Sequence, residues 1–188
     1  MKIVLLSGST VGTKTQTAMT YLYNHLKLTA SEHDLTLLDL KDYELPFSDG
    51  RNYLDYQGDA GLVTSELMSA DVILIGSPTF QASIPATLKN IFDLLPQNAL
   101  ERKIVGLVMT AGSPKHFLVA ETQLKPIIHY MKGLLVSNYV FIEDIDFYQQ
   151  KITNDDVTRR LNKLVEDSLV LAKSYQRAWQ EQEDSYGF

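Results

Sequence analysis

The sequence predicts a three-layer α/β sandwich around a five-stranded parallel sheet. Five short apolar runs recur along the 188 residues, and a segment able to form a helix follows each of them. The runs are continuous rather than alternating, as expected of strands that are buried on both faces. The length suits one domain, residues 1–188, around a single large core.

The strands are expected at residues 3–6, 35–38, 72–75, 104–108 and 134–141. The helices are expected at about 15–28, 62–70, 85–95 and 119–132, with a last helix over about 154–182. That last helix opens on Asp155 and Asp156, acids that suit a helix N-terminus. Five alternating pairs favour the flavodoxin-like strand order 2-1-3-4-5, in which ligands bind beyond the carboxyl ends of the strands.

Composition and charge exclude several classes of function. Lys and Arg number 17 against 23 Asp and Glu, a net charge of −6, which disfavours nucleic acid or an anionic membrane as the main partner. The chain has no cysteine, so redox chemistry requires a bound cofactor. The first apolar run is too short for a signal-peptide core, and no stretch approaches the roughly 18 apolar residues of a membrane span. We therefore expect a cytoplasmic protein without a membrane segment.

Residues 7–15, between the first strand and the first helix, have the composition of a phosphate-binding loop. They contain two glycines, several hydroxyls and Lys14. Backbone N–H groups and the following helix N-terminus can surround a phosphate, and Lys14 adds positive charge. The side chains that could contribute further hydrogen bonds are those of Ser9, Thr13, Thr15 and Gln16. A tight turn with an ordinary N-cap is the alternative.

A nucleoside-triphosphate P-loop is a rival interpretation of the same segment. Gly8 lies seven positions before Thr15, and Lys14-Thr15 stands where that motif has its Lys-Thr pair. However, Thr13 occupies the position of a motif glycine, and a β-branched residue resists the backbone conformation needed there. Asp39 is the acid available after a strand to bind magnesium.

Residues 76–96, which read GSPTFQASIPATLKNIFDLLP, are the most informative stretch. Pro78 ends the strand ladder, so residues 79–83 can present amides and an aromatic edge to a flat ligand, and Pro85 opens the next helix. A strand, Pro-x-aromatic and a helix reading Leu-Lys-Asn-x-x-Asp resemble the NAD(P)H-dependent FMN reductase family. The resemblance covers about residues 1–140 and is closest to the reductases that supply alkanesulfonate-type monooxygenases.

The resemblance implies a flavodoxin-like protein that binds FMN and takes hydride from NAD(P)H, without a protein nucleophile. It implies a phosphate-binding set of Ser9, Thr13, Lys14, Thr15 and Gln16. The wall beside the flavin ring would be Pro78, Thr79, Phe80, Gln81 and Ser83, with Thr110, Ala111 and Gly112 at the other edge. His116 would lie near the nicotinamide or the flavin edge, or else on the surface. Small-molecule substrates, a homodimer or homotetramer and a monooxygenase partner are also implied.

Several positions depart from the family pattern. Many relatives have arginine at Lys14, tyrosine at Phe80 and glycine at Ala111, and the residues here preserve charge, flatness and small size. At Thr122 some relatives that supply a monooxygenase carry a tyrosine associated with a helix irregularity and with flavin exchange. Threonine leaves open that FMN stays bound and reduces a quinone or azo acceptor. A flavodoxin-like electron carrier without a fast NAD(P)H reaction is the other alternative.

Two further surface features are expected from the sequence. Lys89 and Asp93 are four residues apart on one helix and most simply form a surface ion pair. Trp179 and residues 186–188, at the end of the chain, are candidate contacts with a partner subunit.

Overall fold

The computed structural model describes residues 1–185 and is built around a parallel sheet. Its long strands are β1 Lys2–Ser7, β2 Asp34–Asp39, β3 Val72–Pro78 and β4 Ile104–Ala111. Two short strands, β5 Leu134–Leu135 and β6 Val140–Glu143, both pair in parallel with β4. The order β2-β1-β3-β4-β5 confirms the flavodoxin-like prediction.

The fifth strand is divided, and the prediction of one continuous strand over 134–141 was wrong in this respect. Leu134 pairs with Ile104, whereas Val140 pairs with Val108, so the register moves by two residues between β5 and β6. Residues 136–139 accommodate the two extra residues outside the regular ladder. As a result β6 reaches Glu143, beside the carboxyl end of β4.

Within residues 1–185, five α-helices cover the two faces of the sheet: α1 Lys14–Thr29, α2 Gly58–Ser69, α3 Ala86–Leu94, α4 Lys125–Tyr130 and α5 Asp155–Ser185. Apolar residues of α1 and α5 pack against one sheet face, together with Ile3 and Leu5. Those of α2, α3 and α4 pack against the other, together with Val4 and Leu6. Alternate residues of β1 therefore enter different cores, which explains why its apolar run is continuous. An antiparallel hairpin, β7 Phe147–Tyr148 and β8 Lys151–Ile152, precedes α5.

A π-helical turn over Ala120–Leu124 leads into α4, where the sequence predicted ordinary helix over 119–132. The N–H of Lys125 donates to the carbonyl of Ala120, five residues earlier. The hydroxyl of Thr122 donates to the Leu118 carbonyl at 3.1 Å. An irregularity is thus present at this position with threonine in place of tyrosine.

The C-terminal helix is held by its own chain. The guanidinium of Arg102 lies 4.0 Å from the centre of the Trp179 ring and donates to Glu183 at 2.8 Å. The predicted contact made by residues 186–188 lies outside the described residues. Over residues 1–185, no helix has the length and apolar character needed to cross a membrane.

Candidate functional site

Three segments that follow β1, β3 and β4, residues 7–15, 76–84 and 110–115, form three loops that meet at the carboxyl edge of the sheet and are joined by hydrogen bonds. The N–H of Gly8, in the first loop, donates to the Gly76 carbonyl of β3 at 2.8 Å. The N–H of Thr79 donates to the Thr110 carbonyl of β4 at 2.9 Å. The hydroxyls of Thr15 and Thr110, both buried, share a hydrogen bond of 2.7 Å. These bonds fix the three loops relative to one another.

A cleft of about 360 Å³ opens between these loops, within the usual range of about 300–1,000 Å³ for small-molecule sites. It is lined by Val11, Gly12, Thr13, Lys14, Thr15, Pro78, Thr79, Phe80, Thr110, Ala111, Gly112 and Asp144. Three larger grooves lie beside helices: one of about 660 Å³ between α1 and α5, one of about 540 Å³ between α1 and residues 150–152, and one of about 490 Å³ between α3 and α4. Position at the strand ends, where α/β sheets bind ligands, therefore singles out the smaller cleft.

One end of the cleft is suited to a phosphate. Gly12 has φ +75°, and the chain then enters α1 through Thr13, whose side chain makes no capping hydrogen bond. The first N–H groups of α1 therefore have no side-chain acceptor from their N-cap, and the helix N-terminus carries partial positive charge. Lys14, the first residue of α1, also lines the cleft and adds a positive charge. This donor set is the chemistry that binds an anion.

The opposite wall is a tight turn after β3. The N–H of Phe80 donates to the Ser83 carbonyl at 2.9 Å, and the N–H of Ser83 returns a bond of 3.0 Å. Gln81 and Ala82 complete the turn with φ of +48° and +58°. The Phe80 side chain is 40% exposed on the cleft wall, where it offers an apolar surface to a flat ring.

The turn also corrects one expectation about hydrogen-bond donors. The sequence predicts that residues 79–83 present amides to a flat ligand, but within the first three of them, residues 79–81, the N–H groups of Thr79 and Phe80 already bond to protein carbonyls. Within residues 1–185, Gln81 is the member of this set whose N–H has no backbone acceptor. The Thr79 hydroxyl is buried and has no hydrogen-bond partner among residues 1–185. Since buried polar groups are normally hydrogen-bonded, this orphan hydroxyl in the cleft wall fits a site that receives a ligand.

Most of the predicted site residues line the cleft, and five do not. Ser9 donates to the Val11 carbonyl at 2.5 Å and so shapes the first loop, while Gln16 faces the groove beside residues 150–152. Gln81 is exposed in the turn, and Ser83 donates to Gln123 of the π-helical turn at 3.1 Å. His116 ends a short 3-10 helix, Pro114–His116. The roles of all these residues in binding stay predictions.

Asp144 is the cleft residue that sequence reasoning missed. It follows β6, whose Glu143 pairs with Ala111 of β4. One of its carboxylate oxygens lies 2.5 Å from the Lys14 ammonium nitrogen, so the ion pair spans the cleft. The run Glu143-Asp144-Ile145-Asp146 directly after the fifth strand was the available signal, because every parallel strand of the sheet ends at this edge.

A doubly wound sheet with a cleft at its switch point, between a helix N-terminus and an aromatic wall, is the arrangement in which proteins of the flavodoxin-like fold bind their ligands. Residues 1–146 match the model of the family described as NADPH-dependent FMN reductase. The chain belongs to this family, which confirms the resemblance, and it is a flavin oxidoreductase. The family match gives no support to the P-loop or electron-carrier alternatives.

Individual relatives agree with this assignment. An NAD(P)H-dependent FAD/FMN reductase of Geobacillus thermodenitrificans is 37% identical over 165 residues, which are 87% of this chain and 89% of the relative. An FMN reductase (NADPH) of Pseudomonas aeruginosa is 31% identical over 135 residues, 71% and 72% of the two chains. The solved apo structure of an NADH:FMN oxidoreductase, EmoB, superposes with a TM-score of 0.75 at 27% identity and covers 90% of this chain and 89% of its own.

Proposed function

We propose that this protein uses NAD(P)H to reduce FMN held in the cleft between the three loops. The observation that carries the proposal is the convergence of these loops, joined by the 2.7 Å contact between the buried hydroxyls of Thr15 and Thr110. Ring-binding and phosphate-binding segments that lie far apart in the sequence thereby form one site. The whole chain would act as a single flavin-binding domain.

The two ends of the cleft would hold different parts of FMN. The N-terminus of α1, with Thr13, Lys14 and Thr15, would bind the phosphate, and Ser9 and Gln16 would support that loop. The segments 78–83 and 110–112 would flank the ring. This arrangement uses the fixed dipole and charge where the ligand is anionic and the apolar wall where it is flat.

When bound, FMN supplies the ring that accepts hydride from the nicotinamide. The chain's contribution is to orient the rings and to exclude water. Phe80 and Pro78 would provide an apolar wall, and the amides of residues 111–112 would be donors for charge that builds up on the reduced ring. No cysteine or other nucleophile is needed, in agreement with the composition.

Spectroscopy of the purified protein tests this proposal. Added FMN should lose fluorescence as it binds, and anaerobic NADPH or NADH should then bleach flavin absorbance in the presence of catalytic amounts of the protein. Lys14→Gln should raise the dissociation constant of FMN by about tenfold but leave riboflavin, which lacks the phosphate, nearly unaffected. Lys132→Gln, which removes a distant exposed lysine paired with Glu101, is the matched control. A wild-type protein that neither binds FMN nor accelerates NAD(P)H oxidation would refute the proposal.

Three further properties belong to the same proposal. We infer a homodimer or homotetramer, because Phe80, Phe117 and Leu118 expose large apolar side chains near the cleft. We infer that the reduced flavin passes to a monooxygenase partner or to a small quinone or azo acceptor, and comparing turnover with each acceptor separates these cases. A cytoplasmic location is inferred because the reaction depends on reduced nicotinamide nucleotides that are supplied inside the cell.

A further inference from the structure

The Lys14–Asp144 ion pair places opposite charges in the phosphate-binding part of the cleft. Lys14 is the one cationic residue and Asp144 the one anionic residue among the described residues that line the cleft. Their nitrogen and oxygen atoms are 2.5 Å apart, and the side chains are 42% and 50% exposed. The formal charges of the lining side chains therefore cancel.

The backbone around Asp144 is held firmly. Glu143 and Asp146 form reciprocal hydrogen bonds that close the short 3-10 helix Asp144–Asp146. Asp146 also accepts from Asn154 at 2.7 Å, and its carbonyl accepts from the Thr153 N–H at 2.9 Å. The backbone of Asp144 is therefore held in one position, and its carboxylate lies beside Lys14, about 130 positions earlier in the sequence.

A carboxylate in this position acts against a bound phosphate in two ways. It competes for the N–H donors of the Lys14 ammonium, which also has to contact the phosphate. Because Asp144 pairs with Lys14, its carboxylate would also stand near a phosphate bound by Lys14, and like charges at short distance repel even when partly screened. Lys14 would then contribute less to phosphate binding than it would without the carboxylate, and the N-terminus of α1 would contribute a larger share.

We propose that Asp144 lowers the affinity of Lys14 and the N-terminus of α1 for the phosphate of FMN. FMN would then be an exchangeable ligand rather than a permanently bound one. This inference rests on the proposed function, because it assumes that the phosphate of FMN binds at the N-terminus of α1. It assigns Asp144 as a residue that sets the affinity for phosphorylated flavin. The expected consequence is a faster release of FMN from the wild-type protein than from a protein without this carboxylate.

Asp144→Asn tests the inference because it removes the charge and keeps the shape. We expect the dissociation constant of FMN, measured by quenching of flavin fluorescence, to fall by about three- to tenfold, with a matching decrease in the dissociation rate. Riboflavin, which has no phosphate, should bind wild type and variant within about twofold of each other. The gain for FMN should shrink at high NaCl, since salt screens exposed charges. Asp144→Ser should change the affinity in the same direction.

Asp167→Asn is the matched control, because it also neutralises a partly exposed carboxylate that pairs with a lysine, but on α5. It should leave the affinity for FMN unchanged. An Asp144→Asn protein that binds FMN no tighter than wild type, or weaker, overturns the inference, and weaker binding would indicate that Asp144 accepts a hydrogen bond from the flavin. An equal gain for riboflavin also overturns it. Absence of FMN binding in both wild type and variant defeats the proposed function as well, so the two failures are distinguishable.

Discussion

The buried hydroxyls of Thr15 and Thr110 connect the loop after β1 to the end of β4. Thr15 lies in the first turn of α1 and Thr110 near the end of β4, and their shared hydrogen bond is 2.7 Å long. Each group is shielded from water, so each needs the other as a partner. The contact therefore stabilises the fold and fixes the width of the cleft.

Thr110→Val removes this partner while keeping the side-chain shape. Because a buried hydroxyl left unsatisfied costs about 1–3 kcal/mol, we expect the free energy of unfolding to fall by about that amount in urea denaturation. Thr158→Val is the control, since the Thr158 hydroxyl bonds to the Asp155 carbonyl at the surface, and its effect should stay within about 0.5 kcal/mol. Equal decreases in the free energy of unfolding of the two variants would show that the buried contact between Thr15 and Thr110 stabilises the fold no more than a surface hydrogen bond does.

Some residues that line the cleft could be predicted from the sequence, and others could not. Lys14, Pro78 and Phe80 could be predicted because each belongs to a local pattern of loop, strand end or turn. Asp144 could not be predicted as a partner of Lys14, because nothing local signals contact across about 130 positions. The orphan Thr79 hydroxyl was equally invisible, since hydrogen-bond satisfaction depends on the whole three-dimensional environment.

At the scale of secondary-structure elements, Lys103, which directly precedes β4, binds the C-terminus of α2. Its ammonium group donates to the carbonyls of Met68 and Ala70, at the C-terminus of α2, over 2.7 and 2.8 Å. These carbonyls have no partner within the helix, and a cation there also interacts favourably with the helix dipole. Burial lowers the pKa of Lys103 below its ordinary value, and the nearby Asp71 opposes this shift.

Lys103→Met should reduce the free energy of unfolding by about 1–2 kcal/mol at neutral pH, because two helix-terminal carbonyls lose their donor. The folded state releases the Lys103 proton at a lower pH than the unfolded chain, whose lysines titrate at about 10.4. Between the lowered pKa of folded Lys103 and that value the unfolded chain binds more protons, so the stability of wild type relative to Lys103→Met rises with pH in this window. Urea denaturation from neutral pH to about pH 10 measures the difference.

Lys132→Met is the control for this experiment. Lys132 is more exposed and pairs with Glu101 at 3.3 Å, so its replacement should cost little. A difference between wild type and Lys103→Met that stays constant or narrows toward pH 10 would show that burial does not lower the pKa of Lys103, whereas a Lys103→Met protein as stable as wild type at neutral pH would contradict the assignment of Lys103 as a helix cap.

Element boundaries also show where sequence reasoning ends. The continuous apolar runs of β1, β3 and β4 predicted buried parallel strands because both sheet faces are covered. The split between β5 and β6 could not be foreseen, since a two-residue change of register leaves the apolar pattern intact. The π-helical turn at Ala120–Leu124 likewise depends on one displaced hydrogen bond, which residue composition does not encode.

At the scale of the whole molecule, the distribution of exposed apolar side chains bears on assembly. Leu118 precedes the π-helical turn, and Gln123 of that turn bonds to Ser83, which closes the turn carrying Phe80. Phe117 is anchored by the rings of Tyr139 and Phe141, at 5.3 and 5.5 Å between centroids. Large apolar groups gathered beside the cleft are typical of a surface that another protein covers, and the proposed homo-oligomer would cover it with a second copy.

Leu118→Glu should disrupt that assembly, because a glutamate buried against an apolar partner surface loses its hydration without gaining a counter-charge. We expect self-association to weaken by about tenfold or more, measured as a fall in molar mass by light scattering during gel filtration. Val170→Glu is closely matched, since Leu118 and Val170 are both 60% exposed, but Val170 lies on α5, and its replacement should leave the mass unchanged. A wild-type protein that migrates as a single chain of 21.2 kDa would refute the oligomer. A Leu118→Glu protein that keeps the mass of wild type would place the interface elsewhere, and equal dissociation of both variants would show that the effect of the added charge is not specific to Leu118.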